Sequence, residues 1–510
     1  MRRVAFALAI VCAPAAAAAQ SFPLTVESIM RGPDLVGTAP SNVRFSADGR
    51  YVYFTWRAPG VDTLDRDYRV ATRATPGQPE RLPRLAVDTI AMADGAWSPD
   101  LRREIVVLKG NLWLVERSGA KRRLTETPVA ASDPGWSADG QWVFFTREHN
   151  AWALNVANGG LRQLTDIRPG PAPKRPDEPM GQKKFLRDQQ RELFDFIRRQ
   201  VAAERLRADT DTVHTAKPLY LGERQAVTRL AVAPDARFVL LTLTERPKGD
   251  TVEGSPGMLA RWVTQSGYVE AQQLRTKVGD AELRQKAAVI DVATGKATWL
   301  DSTIGTGERD VEGVGISPDG RHALVRAAAT NFKDAWLAVI DLPALVTRVV
   351  AHLHDDAWLD GPLAHTAGWL HDGETVYYGS EATGYAHLYT VSAGGGTPRA
   401  LTRGEWEVHD VELSPDGKTF YLHTNEGDFG QVHCYALDVA TGRMTQLTTA
   451  EGRQDVVVSP DATTLAVLHS TANHPPNCTC SPTGPAPRCA KSPKVLRLSG
   501  AASPGSSPSW

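Results

Sequence analysis

The segment "AHLHDDAWLDGP" brings together four side chains of types that bind metals in many proteins: His352, His354, Asp355 and Asp356. If the segment is a strand, the two histidines lie on the same face, because side chains alternate with a period of two. A zinc site needs a third well-placed protein ligand, and the spacing does not supply one. We therefore predict neither a metal nor any other cofactor for this chain.

A second candidate site is the pair of carboxylates in "RGEWEVHD", Glu405 and Glu407. Two carboxylates at this spacing can bind an amine. A solvated strand edge explains the same residues, and we favour that interpretation because charged side chains most often lie on solvated faces.

The run "RWVTQSGYVEAQQLRTKVGD", from Arg261 to Asp280, is predicted as a long loop that contains aromatic residues. Loops on rigid scaffolds often carry specificity, so this run is a candidate for ligand contacts. The chain has no Gly-x-Ser-x-Gly pattern, and hence no nucleophile elbow of that type. It also has no phosphate loop or dinucleotide fingerprint. We assign no catalytic residue and no specific substrate-binding residue.

The composition is that of a globular protein with little net charge. The 510 residues carry a formal net charge of −1, with 42% hydrophobic and 23% charged residues. A nucleic acid is therefore not expected as the main partner, because its binding requires a clustered basic surface. Thirteen tryptophans and six methionines favour a protein rich in β-sheet.

One sequence motif recurs along the chain and indicates its architecture. It reads "FSADGRYVYFTWR" in the first copy and "LSPDGKTFYLHTN" in the seventh. The eight copies are marked by their aspartates: Asp48, Asp100, Asp139, Asp235, Asp319, Asp372, Asp416 and Asp461. Proline, aspartate and glycine favour a tight turn, and the alternation that follows is typical of a strand.

The spacing of the copies predicts an all-β fold, a β-propeller of about eight four-stranded blades. Successive aspartates lie 39 to 53 residues apart except where an insert intervenes, which matches the length of one blade. Radial packing of blades buries both faces of each sheet and protects its edges. One or two β-sandwiches with similar turns are the alternative.

An insert over residues 183–207, "KKFLRDQQRELFDFIRRQVAAERLR", interrupts the strands. Leu186, Leu193, Ile197 and Val201 fall on one face of a helix. The simpler interpretation is a helix that packs on the rim of the propeller. The alternative is a helix that shapes access to a partner surface.

The first nineteen residues have the pattern of a signal peptide: Arg2 and Arg3, an apolar run, and small residues at 17–19. No stretch is long enough to span a membrane, so we expect a periplasmic or secreted protein. Lipid anchoring through Cys12 is the alternative. Cys434 lies inside a strand pattern and is predicted to be a small buried hydrophobe.

The beginning "FPLTVESIMRGPDLVGTAPSNVRFSADGRYVYF" resembles the prolyl oligopeptidase family in its dipeptidyl peptidase IV branch. The repeated turns, "YVEAQQLRTKVGD" and "GEWEVHDVELSPDGKTFYL" are similar to the propeller of bacterial members. The resemblance covers about residues 22–476, which we predict to form the propeller.

The resemblance implies a propeller that covers a C-terminal α/β-hydrolase domain with a Ser-Asp-His triad. In that family the propeller selects the peptides that reach the serine. We expect that hydrolase domain to be absent from this chain, so the chain is expected to be inactive on its own. The glutamate pair that holds a substrate's amino terminus in dipeptidyl peptidases is not recognisable near the helical insert. Peptide substrates are the expected partners, and a homodimer is left open.

The end of the chain, residues 477–510, lacks the strand pattern and is predicted to be a disordered, out-of-frame tail. Relatives tend to continue after "HPP" with Glu-Leu-Tyr-Val, which can be encoded GAA CTG TAC GTG C. Loss of the first base gives AAC TGT ACG TGC, which encodes the "NCTC" found here. A metal site made of Cys478, Cys480 and Cys489 is the alternative.

Two functions follow from these observations. The first is the substrate-gating propeller of an exported serine peptidase. The second is a free-standing periplasmic propeller that binds a protein or peptide. The nucleotide sequence downstream, read in the other frame, separates them, because only the first predicts a hydrolase with a nucleophile elbow.

Overall fold

The structure of the chain is a computed structural model. It describes residues 25–30, 37–58, 61–62, 64–72, 79–83, 95–172, 180–211, 216–246, 258–273, 283–300, 303–472, 474–482 and 496–497. The predicted signal peptide, Cys12 and Cys489 lie outside the described residues.

Most of the described chain forms four-stranded antiparallel sheets whose strands follow one another in sequence order. Blade 1 consists of β1 (Ser41–Phe45), β2 (Tyr51–Trp56), β3 (Arg66–Ala71) and β4 (Glu80–Arg81). Blade 2 consists of β5 (Gly95–Trp97), β6 (Arg103–Leu108), β7 (Asn111–Glu116) and β8 (Lys121–Arg123). Blade 3 consists of β9 (Ser132–Trp136), β10 (Trp142–Arg147), β11 (Asn150–Asn155) and β12 (Leu161–Gln163). Blade 4 consists of β15 (Gln225–Val232), β16 (Phe238–Glu245), β19 (Arg284–Asp291) and β20 (Ala297–Trp299).

Blades 5 to 7 continue the same pattern. Blade 5 consists of β21 (Arg309–Ile316), β22 (His322–Ala329), β23 (Asp334–Asp341) and β24 (Val346–His354). Blade 6 consists of β25 (Ala367–Trp369), β26 (Thr375–Ser380), β27 (His387–Ser392) and β28 (Arg399–Ala400). Blade 7 consists of β29 (Val408–Leu413), β30 (Thr419–Thr424), β31 (His433–Asp438) and β32 (Met444–Gln446).

A last sheet, here called the closing sheet, consists of β33 (Arg453–Val458), β34 (Thr464–Thr471), β35 (His474–Pro482) and β36 (Leu496–Arg497). Two small sheets lie outside the blades. One is a parallel pair, β13 (Asp166–Arg168) and β14 (Pro218–Tyr220), and the other is a hairpin, β17 (Met258–Arg261) and β18 (Glu270–Gln273).

The number of blades differs from the sequence-based prediction. Seven blades are complete in the described chain before β33, whereas about eight were predicted for residues 22–476. The eighth repeat has its turn at Asp461, and only its strands β33 and β34 end before the predicted tail, since β35 begins at His474 and continues into it. The last two strands of the closing sheet come instead from β35 and β36.

The predicted tail is partly ordered into that sheet, which corrects the expectation of disorder over 477–482 and 496–497. Backbone pairing places Leu465 opposite Ser481 and Val467 opposite Thr479, and β36 pairs with β35. Without this pairing β34 would be an edge strand with unpaired N–H and C=O groups, and such an edge recruits a neighbouring strand through its backbone. The pairing does not test the reading frame, and the out-of-frame origin stays a prediction.

The sheets form a ring, and the first strands of several neighbouring sheets contact one another. β5 packs beside β9, β9 beside β15, β15 beside β21 and β21 beside β25. The ring closes where β1 packs beside β33. Since neighbouring sheets stack, both faces of a strand are covered, and Val52, Tyr53 and Phe54 are buried in succession on β2. The architecture is therefore an all-β propeller, as predicted.

Cys434 on β31 is buried, as the sequence predicts. It packs with Val456, Leu465 and Val467 between blade 7 and the closing sheet. Burial raises the pKa of its thiol to about 12, so the group is neutral at ordinary pH. It therefore acts as a small hydrophobe.

A serine hydroxyl completes six of the repeated turns, which the sequence analysis missed. Each serine donates to the turn aspartate over 2.5 to 2.7 Å and accepts from the backbone N–H five residues on. In all eight turns the aspartate accepts from the backbone N–H two residues on, over 3.0 to 3.2 Å. These bonds satisfy the backbone groups that the chain reversal frees.

Replacing Ser317 with alanine is expected to cost about 1–2 kcal/mol of unfolding free energy, because a buried hydrogen-bonding group loses its partner. The Ser317 side chain is fully buried and bonds both Asp319 Oδ1 and the His322 N–H. Urea denaturation followed by tryptophan fluorescence measures the change. Ser118→Ala, in an exposed turn between β7 and β8, is the control and should have little effect. Equal midpoints for the two variants would contradict the prediction.

The helical insert consists of two helices, not one. Besides the short α1 (Val26–Ile29), the structure contains α2 (Gln182–Leu193) and α3 (Asp195–Asp211), separated at Phe194, whose φ is −112° and ψ is 104°. Asp195 favours the start of a new helix, because an acidic residue stabilises the positive helix N-terminus. No helix among these described segments has the length and apolar character needed to cross a lipid bilayer.

The break also changes where the apolar residues of the insert lie. Of the four residues on the face predicted to pack on the rim, Leu186 is 48% exposed and Leu193 is 68% exposed, whereas Ile197 and Val201 are half-buried. The helices pack against each other instead. The stripe was predicted for one continuous helix, and the extended residue at the break puts the two halves out of phase.

Candidate functional site

The two ends of the propeller differ in the chain connections that lie there. The aspartate turns join the first strand of each sheet to its second strand, so they all lie at one end. The connections between sheets, and those from second to third strands, lie at the other end because neighbouring strands are antiparallel. The helices α2 and α3, between blades 3 and 4, and the β17–β18 hairpin, between β16 and β19, both belong to this second end. We call it the insert end.

A cavity of about 780 Å³ lies between blades 5 and 6 and is largely formed by connections at the insert end. Its wall includes the β22–β23 turn, the connection from β24 to β25, and the β26–β27 turn. The volume is within the usual range of pockets for small ligands. We call it the interblade cavity.

Aromatic side chains form much of the wall of the interblade cavity. Trp336, Trp358, Tyr378 and Tyr389 all line it. The rings of Tyr378 and Tyr389 are stacked at 5.7 Å between centroids, and Trp358 is 70% exposed. Such faces can hold an apolar group or, through their quadrupoles, a cation.

Phe332 at the wall of the cavity has an unusual backbone conformation. Its φ is 60°, in the left-handed region that bulky residues rarely adopt. The conformation is held by two backbone bonds: Phe332 N–H donates to Ala329 O over 2.8 Å, and Leu359 N–H donates to Phe332 O over 2.6 Å. The second bond ties the turn of blade 5 to the connection that leads into blade 6.

The structure gives the predicted histidine pair a partner that the sequence did not reveal. His352 and His354 share a face of β24, as predicted, and both bond Asp334 Oδ1 on β23 over 2.9 Å. Asp355 instead accepts from the Ala357 N–H over 2.7 Å, and Asp356 lies 3.4 Å from His354 Nε2. Among the described residues, no group of three or more His, Cys, Asp or Glu side chains is arranged to hold a metal.

Asp334→Asn is expected to lower the pKa of His354. The hydrogen bond to Asp334 is the main cause that raises this pKa above its ordinary value. The stabilisation by protonated His354 is therefore present below the unfolded pKa, and it is lost as pH rises through the higher folded pKa. Titration of the histidine ring resonances by NMR measures the shift. An unchanged pKa in Asp334→Asn, with Asp341→Asn on the same strand as control, would rule out this cause.

Arg326 is the arginine in the cavity wall, and its charge is already paired. It forms an ion pair with Glu312 and donates to Ala364 O over 2.7 Å. Burial lowers the pKa of this guanidinium, against the opposing effect of Glu312. Arg326 thus fixes the connection from β24 to β25 and leaves little positive charge for a ligand.

Glu381 gives the cavity its negative charge. Burial is the main cause that raises the pKa of this carboxyl, followed by the neighbouring carboxylates of Glu407, Asp360 and Asp355. A repulsive environment of this kind marks sites that gain from binding a cation. The backbone of Gly361 lies directly against the Glu381 carboxylate, so a side chain at Gly361 would displace it.

The two carboxylates predicted as a pair, Glu405 and Glu407, have different environments in the fold. Glu405 is exposed, whereas Glu407 is half-buried and its N–H donates to Asn425 Oδ1 over 2.6 Å. Glu407 acts electrostatically on Glu381 of the neighbouring blade. Glu381 and Trp358 were missed by the sequence analysis, because the signal that joins them is the packing of blade 5 on blade 6.

The run from Arg261 to Asp280 is not a plain loop. Residues 258–261 and 270–273 pair as the β17–β18 hairpin, and residues 274–280 lie outside the described residues. Trp262 and Tyr268, next to its strands, are 76% and 80% exposed. The alternation of apolar and polar residues in this run was too short to distinguish a hairpin from a loop.

The residues that line the interblade cavity lie in a segment that matches a known protein family. Residues 259–476 match the family described as the dipeptidyl peptidase IV (DPP IV) N-terminal region. The chain is 31% identical over 166 residues to "Probable dipeptidyl peptidase 4" of Aspergillus clavatus, and 34% identical over 142 residues to the protein of the same description from Emericella nidulans. These matches cover 31% and 25% of this chain, but only 19% and 18% of the relatives.

A solved structure shows the same fold. The crystal structure of Porphyromonas gingivalis dipeptidyl peptidase 4 superposes with a TM-score of 0.53 at 15% identity, covering 90% of this chain and 60% of that chain. The sequence matches and the fold agree with the resemblance inferred from the repeated turns. Residues 259–476 therefore match the N-terminal region of the dipeptidyl peptidase IV family, and the propeller fold of the chain agrees with that match.

Proposed function

We propose that this chain is the substrate-gating propeller portion of an exported serine peptidase that cleaves peptides. One observation carries the proposal: the family match over residues 259–476 contains the whole wall of the interblade cavity. The relatives are described as dipeptidyl peptidases, and a propeller that limits access to an active centre suits that chemistry. Peptides are the proposed partners, and the periplasm or the exterior is the proposed location.

The 510-residue chain is proposed to bind peptides without hydrolysing them. The test incubates the purified chain with proline-containing dipeptide chromogenic substrates and follows release of the chromophore. The dipeptidyl peptidase 4 of Aspergillus clavatus serves as the positive control. No turnover is expected, because the sequence has no Gly-x-Ser-x-Gly nucleophile. Turnover by this chain that a serine-directed inhibitor abolishes would overturn the proposed inactivity.

Export is tested separately by cell fractionation. The full chain should appear in the periplasm or medium, whereas a variant without residues 1–19 should remain in the cytoplasm. Equal distribution of the two forms would refute the signal peptide. The deletion of residues 1–19 leaves the helices and the hairpin of the insert end unchanged, so the result is independent of the binding experiment.

A free-standing propeller that binds a protein or peptide is the second candidate. The contact between β1 and β33 favours it, since the described chain closes a ring by itself. Purification from the native host followed by size-exclusion chromatography distinguishes the two. A stable complex, together with no hydrolase sequence downstream in either reading frame, would support this second function over the first.

A further inference from the structure

We propose that the interblade cavity binds a basic side chain, lysine or arginine, of a peptide ligand. The inference rests on the proposed function and names the ligand chemistry of one site within it. It concerns the contacts of a side chain along the peptide, not those of the peptide's amino terminus. Three features of the cavity carry it: its aromatic walls, the Glu381 carboxylate, which has no side-chain partner among the described residues, and the engagement of Arg326 and His352 with other groups.

The aromatic walls suit the apolar stem of a long cationic side chain. Trp358 and Tyr378 line the cavity together with Leu359, so methylene groups can be buried there. A lysine or arginine head group placed over an indole face gains a cation–π interaction. Trp358 is 70% exposed, and so it is accessible to an incoming peptide.

The carboxylate of Glu381 can supply the counter-charge. It lines the cavity beside Asp360, and the electrostatic influences on it come from carboxylates alone: Glu407, Asp360 and Asp355. A bound ammonium or guanidinium group would relieve this repulsion and form a charge-assisted hydrogen bond. An anionic ligand would add to the repulsion.

Arg326, His352 and His365 are the basic side chains of the wall, and the first two already have partners. Arg326 is paired with Glu312, and His352 is bonded to Asp334 and stacked on Trp336 at 5.3 Å. The charge balance at Glu381 is therefore negative, which selects a cation.

The experiment measures binding of the full 510-residue chain to a capped peptide, acetyl-Gly-Ala-Lys-Ala-Gly-amide, by isothermal titration calorimetry. Capping removes both terminal charges, so lysine supplies the sole cation. The lysine peptide should bind at least about tenfold more tightly than its norleucine or glutamate counterparts, which corresponds to one charge-assisted hydrogen bond. Binding should weaken as salt is added.

Substitutions at two positions, Glu381 and Trp358, test the contribution of these residues. Glu381→Gln should weaken binding of the lysine peptide by about tenfold, and Trp358→Ala by about fivefold, with partial recovery in Trp358→Phe. Glu374→Gln is the matched control, since Glu374 is an exposed carboxylate of the same blade at the turn end. It should bind the peptide as the unmodified chain does. Circular dichroism of each variant confirms that the sheet content is unchanged.

The outcomes separate this inference from the proposed function. Equal binding of lysine and norleucine peptides, or equal affinity in Glu381→Gln and Glu374→Gln, would overturn the inference but leave a peptide-binding propeller. Binding that requires a free amino terminus and ignores the side chain would also overturn it. Failure of all peptides to bind would count against both the inference and the proposed function.

Discussion

Phe420→Ala is expected to lower the free energy of unfolding by about 3–5 kcal/mol, the range typical of a large aromatic removed from a packed core. Phe420 lies on β30 and is fully buried. Its ring meets that of Tyr377, on blade 6, at 5.0 Å between centroids and 70° between planes. The same cluster contains Leu388 from blade 6 and Leu422 from blade 7, so the cavity left by alanine would open the joint between two blades.

Chemical denaturation with guanidinium chloride, followed by circular dichroism, measures this loss. Phe429→Ala is the matched control, because Phe429 belongs to the same blade and is 73% exposed. Its effect should stay within about 0.5 kcal/mol. If the two variants lost the same stability, blade-to-blade packing would not be the main contribution of Phe420.

Gly379→Ala is expected to cost about 1–3 kcal/mol, the range for an added methyl group in a packed region. A Cβ atom at Gly379 would lie 2.2 Å from the Cβ atom and 2.6 Å from the carbonyl oxygen of Leu363, which is itself buried. The neighbour is backbone, and the Gly379 N–H also donates to Thr366 O over 2.9 Å. The strain can therefore be relieved only by moving the connection from β24 to β25, which forms a wall of the interblade cavity.

Thermal unfolding monitored by circular dichroism tests this prediction. Gly315→Ala provides the control, since Gly315 also lies in a strand and a Cβ there would meet no atom within 4 Å. That substitution should be neutral or slightly stabilising, because alanine reduces the conformational freedom of the unfolded chain. A lower melting temperature in Gly315→Ala than in Gly379→Ala would contradict the steric explanation.

The repeated turns could be predicted from the sequence because their chemistry is local. Asp139 and Asp319 each accept from a backbone N–H two residues away, so a short pattern contains all that the turn requires. The predicted strand after each turn follows for the same reason. The break at Phe194 could not be predicted, because a helical pattern continues in the sequence on both sides of it.

The site was harder to predict because its residues meet only through the packing of one blade on the next. Glu407 was selected for its neighbour Glu405, yet in the fold its electrostatic partner is Glu381. His352 and His354 were correctly placed on one face, but Asp334, which binds both, lies on the preceding strand. Contacts between blades follow from the register of whole sheets, and a single sequence does not encode that register in any short motif.

Two of the serine–aspartate turns, at Asp100 and Asp139, respond to acid in the same way. Hydrogen bonds from Ser98 and Ser137 are the main cause that holds the pKa of Asp100 and Asp139 below its ordinary value. Each such carboxylate stabilises the fold above its unfolded pKa, and this support vanishes as pH falls through the lower folded pKa. Because both carboxylates bind more protons in the unfolded chain than in the folded chain at acid pH, their contributions add, and acid denaturation takes up protons at more than one turn.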